Sequence, residues 1–115
     1  MSRLNADLIS KSAQYLNPLN QFYIDLRSYQ IPYLENLTAT NDQFECIDLS
    51  DNAINKLEEL PRLSRLESLL LPDNQISLVE PSFASECPKL DSIILSNNRI
   101  GDFKQIDFLA TCVTL

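Results

Sequence analysis

Two aspartates, Asp25 and Asp48, stand 23 residues apart in matching local contexts, Ile-Asp-Leu and Ile-Asp-Leu-Ser. Paired carboxylates are the residue types of general acid–base work, so they are the first candidates for chemistry. Their surroundings argue otherwise. The 115 residues contain no histidine, which removes the commonest general base and the commonest metal ligand. The single glycine, Gly101, rules out a glycine-rich phosphate loop or a paired-glycine dinucleotide turn. It also leaves few ready positions for left-handed backbone, so the bends are expected to need little of it. Cys46, Cys87 and Cys112 are odd in number, widely spaced and outside any Cys-x-x-Cys pair, which fits reduced thiols better than a disulfide frame or a zinc site. Cys87 and Cys112 are expected in the core. A formal charge of −7 repels phosphate over the surface as a whole, so any nucleic-acid contact must be local or made through a partner. No apolar run is long enough for a membrane span, and no leader is visible, so the formal sequon Asn36-Leu37-Thr38 reads as a chance triplet.

The elements that carry the two aspartates come from a repeat. Phe44-Glu-Cys-Ile47-Asp-Leu49-Ser-Asp-Asn52-Ala-Ile54, Leu66-Glu-Ser-Leu69-Leu-Leu71-Pro-Asp-Asn74-Gln-Ile76 and Leu90-Asp-Ser-Ile93-Ile-Leu95-Ser-Asn-Asn98-Arg-Ile100 superpose without gaps. A degenerate earlier copy, Gln21 to Ile31, carries Tyr29 in the asparagine slot. Spacings of 23, 22 and 24 residues with this letter pattern are those of leucine-rich repeats. The predicted fold is an α/β solenoid with a parallel concave sheet of four to five short strands. Each apolar-x-apolar centre is a strand with one face inward. Asn52, Asn74 and Asn98 are predicted to sit inside the bends and satisfy backbone groups there. The return limbs (Leu57, Leu60, Leu63, then Val79, Phe83, Cys87) have spacings that suit short helical or 3₁₀ turns.

Residues 1–19 are expected to form an N-terminal cap and 20–115 the repeats. In the cap, a helix over 6–16 is predicted, with Asn5 as N-cap, Leu8, Ile9, Ala13 and Leu16 on one face, and Pro18 as its stop. At the other end, Leu109, Val113 and Leu115 read as the lead-in to another repeat with Leu115 in its first position, so the last strand is expected to be uncovered.

The non-consensus first repeat is the most specific part of the chain. Ala13-Gln14-Tyr15-Leu16-Asn17, Ile24-Asp25-Leu26-Arg27-Ser28-Tyr29-Gln30-Ile31-Pro32, Glu35-Asn36-Leu37 and Thr40-Asn41-Asp42-Gln43-Phe44 resemble the U2 small nuclear ribonucleoprotein A-prime family, and the likeness continues in register through Asn98. The resemblance implies a nuclear spliceosomal scaffold whose concave sheet holds a helix of an RNA-recognition-motif protein of the B-double-prime type. That pair then binds a stem-loop of U2 small nuclear RNA.

The outward strand positions supply an independent argument. Tyr23, Asp25, Arg27, Cys46, Asp48, Asp51, Leu70, Asp73 and Ile94 are the predicted partner-binding residues. The central column Asp25, Asp48, Leu70, Ile94 is acidic at one end and apolar at the other, which matches a helix with basic residues at one end and an apolar patch at the other. Arg27 suits either an internal pair with these acids or a carboxylate on a partner. Lys56, Arg62 and Arg65 cluster in sequence around the second return limb, where they are placed to graze an RNA backbone or simply to be solvated. A shallow sheet with no nucleophile–base pair implies no enzyme, cofactor, metal or small-molecule substrate. The competing function is an acidic leucine-rich repeat regulator of a nuclear or cytoplasmic enzyme or a histone-binding protein.

Overall fold

The computed structural model describes residues 3–101 in full and the backbone of 113–114. Repetition of apolar-x-apolar centres produces a six-stranded sheet. In chain order its strands are β1 (Gln14–Leu16), β2 (Phe22–Asp25), β3 (Cys46–Asp48), β5 (Ser68–Leu70), β7 (Ser92–Ile94) and β8 (Val113–Thr114). From β2 to β8 every pairing is parallel, and each repeat contributes one strand. The register is the one the repeat alignment requires: Ile24, Ile47, Leu69 and Ile93 lie opposite one another in successive strands, and all four are buried. Leu26, Leu49, Leu71 and Leu95 follow them into the same core. Each such side chain contributes roughly 1.5–3 kcal/mol by leaving water, so the stacked leucine and isoleucine rows hold the solenoid together.

The asparagine prediction holds atom by atom. Asn52 Oδ1 accepts from the amides of Tyr29 and Ile31, both at 3.0 Å, while its Nδ2 donates to the carbonyls of Leu26 and Leu49 at 2.9 Å. Asn74 accepts from Ile54 N–H and donates to the Leu49, Leu71 and Pro72 carbonyls. Asn98 repeats the pattern with Ile76, Leu71, Leu95 and Ser96. Each amide therefore ties its own bend to the preceding repeat. No buried side-chain polar atom among the described residues lacks a partner.

Backbone conformation corrects one expectation. Ser28, Asp51, Asp73 and Asn97, each immediately before the asparagine slot, all have φ between 56° and 61°. The bends do use left-handed backbone, and polar side chains adopt it in place of glycine because their short polar groups hydrogen-bond locally.

The N-terminal cap also differs from its sequence pattern. Helix α1 covers only Ala6–Lys11, with the Asn5 side chain accepting from Leu8 N–H at 2.9 Å as predicted. Ser12 is extended and ends it, its hydroxyl donating to the Leu8 carbonyl. The chain then enters β1, which pairs antiparallel with β2. Ala13 and Leu16 are exposed, so they share no buried helix face. Pro18 lies in the hairpin turn closed by Asn17 Oδ1, which accepts from the amides of Leu19 and Gln21. The physical reason is the sheet edge: β2 would present an unpaired row of backbone groups, and β1 satisfies them.

The return limbs are mostly irregular. A 3₁₀ helix occurs at Leu37–Thr40. The Val79 limb carries 3₁₀-type turns as its spacing suggests, with Phe83 N–H donating to the Glu80 carbonyl, Ser85 N–H to that of Ser82 and Cys87 N–H to that of Ala84. The starts of the Leu57 and Val79 limbs, however, are extended. They form a second, two-stranded parallel sheet of β4 (Lys56–Leu57) and β6 (Leu78–Val79). Cys87 is in the core, as expected. Val113 registers against Ile93 and is thus a strand residue itself, not the approach to one. Leu109, Cys112 and Leu115 lie outside the described residues.

Candidate functional site

Strand alternation turns Tyr23, Asp25, Cys46, Asp48, Ser68, Leu70, Ser92 and Ile94 away from the core. Register brings Asp25, Asp48, Leu70 and Ile94 into one row, as the repeat alignment predicts. The neighbouring row runs Tyr15, Tyr23, Cys46, Ser68, Ser92. Tyr15 was not singled out from the sequence, because its place depends on the hairpin that helical spacing concealed. Its ring lies 4.8 Å from that of Tyr23, and the residue is 46% exposed.

The acidic end is not the open acid pair that the column composition implies. Asp48 is only 6% exposed. Its Oδ2 accepts a 2.6 Å hydrogen bond from the Tyr23 hydroxyl, and its Oδ1 accepts from both the amide and the hydroxyl of Ser50. Burial, followed by the bond to Asp48, pushes the Tyr23 phenol well above its ordinary range, so the hydroxyl remains a donor. Asp25 is held bidentately by Arg27, with Nε and Nη2 each at 3.1 Å from a carboxylate oxygen, and the Arg27 amide adds a third bond. Hydrogen bonding to Arg27 holds the Asp25 carboxyl below the usual carboxylate range. The more exposed charged group at this end is Arg27, whose side chain is 53% exposed against 25% for Asp25, and whose Nε also lies 3.9 Å from Asp48 Oδ2.

Cys46 is buried under this network, although it occupies an outward position. Tyr23 reaches across to Asp48 on one side of it. On the other, Gln21 reaches over β3 to the Ser68 hydroxyl at 3.1 Å. Burial pushes the Cys46 thiol up to about 11, with the Asp48 charge adding to the effect. The thiol is therefore inert surface lining, not a nucleophile. Leu70 and Ile94 remain half-exposed side by side at the far end.

Asp51 and Asp73 are not on the strand face. They occupy the left-handed bends beyond the strand ends, where Asp51 accepts from the Ser28 hydroxyl and Asp73 from the Asn97 amide. The three cations of the second limb separate as well. Lys56 sits on β4 beside Glu58 at 3.2 Å, whereas Arg65 lines a recess at the start of the strands with Asn20, Glu45, Glu67 and Lys89. Arg62 is exposed between them in sequence. Among the described residues, no cluster of three or more His, Cys, Asp or Glu has the arrangement to hold a metal ion, and no helix is long and apolar enough to cross a membrane.

The geometry is that of a preorganised polar corner grading into an apolar ledge along one sheet face. Comparisons with known proteins bear on the family and the fold. A family model described as leucine-rich repeat matches residues 1–115. The chain is 48% identical over 111 residues to the U2 small nuclear ribonucleoprotein A' of Arabidopsis thaliana, covering 96% of this chain and 45% of that protein. It is 43% identical over 115 residues to the human protein of the same name, covering 100% of this chain and 45% of its relative. A chain in the crystal structure of the Drosophila melanogaster SNF/U2A' complex superposes with a TM-score of 0.94 at 41% identity, covering 100% of this chain and 69% of that one. The chain spans about half the length of the curated relatives it matches.

Proposed function

Since the chain belongs to the leucine-rich repeat family and is homologous to the U2 small nuclear ribonucleoprotein A' proteins, we propose that it is a nuclear, non-enzymatic scaffold of the U2 particle. Its outward, concave sheet face receives a helix of an RNA-recognition-motif protein of the B-double-prime type, and the pair binds U2 small nuclear RNA in pre-mRNA splicing. The observation that carries this reading is the face itself: a continuous row from Asp25 and Asp48 to Leu70 and Ile94, on a fold matched along its whole length by a chain from a SNF/U2A' complex.

The dimensions suit the role. Four strands about 4.8 Å apart span roughly 15–20 Å, the length of about 10–13 helical residues. Half-exposed Leu70 and Ile94 gain from being covered, and the polar corner at the other end fixes direction. RNA is reached through the partner. Lys56 is paired with Glu58 and Arg65 lies in a recess apart from it, so these cations and Arg62 supply at most local backbone contacts.

The test is a gel shift with the U2 stem-loop and a B-double-prime-type protein, with and without this chain. The expected result is a slower, tighter ternary complex that the chain does not form with RNA alone. Failure of the chain to bind the protein overturns the reading. Capture of a phosphatase or histones in its place favours the acidic-regulator alternative.

A further inference from the structure

We propose that Arg27 selects the partner: its guanidinium, fixed in place by Asp25 and backed by Asp48, takes a carboxylate side chain of the docked helix. This inference rests on the reading that the sheet face receives a helix. A guanidinium carries five N–H donors in a planar fork. The Nε–Nη2 edge of Arg27 is filled by the two Asp25 oxygens. Among the described residues, the three N–H donors on Nη1 and the rest of Nη2 have no protein acceptor, and with the side chain 53% exposed they are hydrated. A helix laid along the row from Asp25 to Ile94 covers this corner and displaces that water. Donors on a charged group left without acceptors in a covered interface weaken binding more than neutral ones do, so the helix must bring an acceptor of its own. The free Nη1–Nη2 edge has the spacing of a carboxylate, the group that accepts from it bidentately.

The acids beneath are less available for the opposite choice, the Asp25 side chain being 25% exposed against 53% for Arg27. Both Asp25 oxygens are bound to Arg27, and Asp48 is buried with Oδ1 held by Ser50 and Oδ2 by Tyr23. A partner lysine or arginine approaching this corner meets Arg27 first, and like charges brought together across an interface oppose docking. On this proposal the charged end of the partner helix at this corner is acidic, the opposite of the basic end that the column composition suggests.

The test is calorimetric affinity of the chain for the B-double-prime-type protein, combined with a double-mutant cycle. Arg27→Gln and Arg27→Lys are each measured against the wild-type partner and against partners whose helix Asp or Glu residues are changed singly to Asn or Gln. Thermal melting of the free chain checks that each variant is folded. Arg27→Gln is expected to weaken binding by about tenfold or more, with Arg27→Lys recovering only part of it because an ammonium lacks the fork. One partner neutralisation is expected to cost the same and to cost nothing further in the Arg27→Gln background. Binding by Arg27→Gln within about twofold of wild type, or coupling to a partner cation instead, overturns the proposal while leaving the helix-receiving face intact. If the wild-type chain does not bind the partner at all, the reading of the face fails and this inference falls with it.

Discussion

Replacing Asn52 with alanine isolates the device that closes the bends. Asn52 is buried and makes five hydrogen bonds to backbone, two as acceptor from Tyr29 and Ile31 and three as donor to Leu26, Leu49 and Ser50. The Leu49 carbonyl keeps a second donor, Asn74 Nδ2 at 3.0 Å, and the Ser50 carbonyl keeps the Ser28 amide at 3.2 Å, so the losses are the two amides and the buried Leu26 carbonyl. Two amides are left without their acceptor, and at about 1–3 kcal/mol for each unsatisfied group these alone should cost about 2–6 kcal/mol, with the Leu26 carbonyl adding to it. Among the described residues Asn98 serves one amide, that of Ile76, and is half-buried, so Asn98→Ala should cost about 1–3 kcal/mol. Urea unfolding followed by circular dichroism measures both, with the slope of stability against urea checked for constancy so that the midpoints report stability. The reasoning is refuted if Asn98→Ala is as damaging as Asn52→Ala, or if Asn52→Ala costs less than about 1 kcal/mol.

Three further outcomes follow from the same contacts. Tyr23→Phe removes the 2.6 Å donor to buried Asp48 and should lower stability by roughly 1–3 kcal/mol in the same urea assay. Burial raises the Asp42 carboxyl, but the Ser64 hydroxyl and the amides of Ser64 and Arg65 more than offset this and hold it below its ordinary value. The unfolded chain therefore binds the proton more readily, so stability is present above about pH 4 and is lost as pH falls below it, and Asp42→Asn should flatten that acid slope in a stability–pH series. Cys46, with its thiol raised to about 11, should react with a disulfide reagent at pH 8 far more slowly in the native chain than in urea, as thiol release followed over time will show.

Much of the fold was legible because repetition amplifies weak signals. Asparagine in the same slot at Asn52, Asn74 and Asn98 marks a shared bend, and the alignment that reveals it also sets the strand register of the Asp25–Ile94 row. The departures lie where one residue type serves two geometries. Leu8, Ile9, Ala13 and Leu16 have helical spacing, yet the demand of the β2 edge draws Gln14–Leu16 into a strand. Left-handed bends were hidden because Asp51, Asp73 and Asn97 do the work normally assigned to glycine. Asp48 looked open because outward pointing was equated with exposure. Only the tertiary reach of Tyr23 covers it, and nothing in the local sequence encodes that reach. Reversing the charge of both Asp25 and Asp48 is consequently a poor test of binding, because a lysine at 48 would first have to be buried.

The most direct test of the central claim, that this sheet face is a protein-binding surface, is calorimetric titration of the B-double-prime-type protein with Leu70→Asp and with Leu78→Asp. Leu70 lies on the outward row between Asp48 and Ile94, while Leu78 is an exposed residue of β6 in the separate two-stranded sheet. With both variants folded by circular dichroism, Leu70→Asp is expected to lose binding by about tenfold or more and Leu78→Asp to retain it. Equal binding by the two variants, or loss confined to Leu78→Asp, would contradict the account.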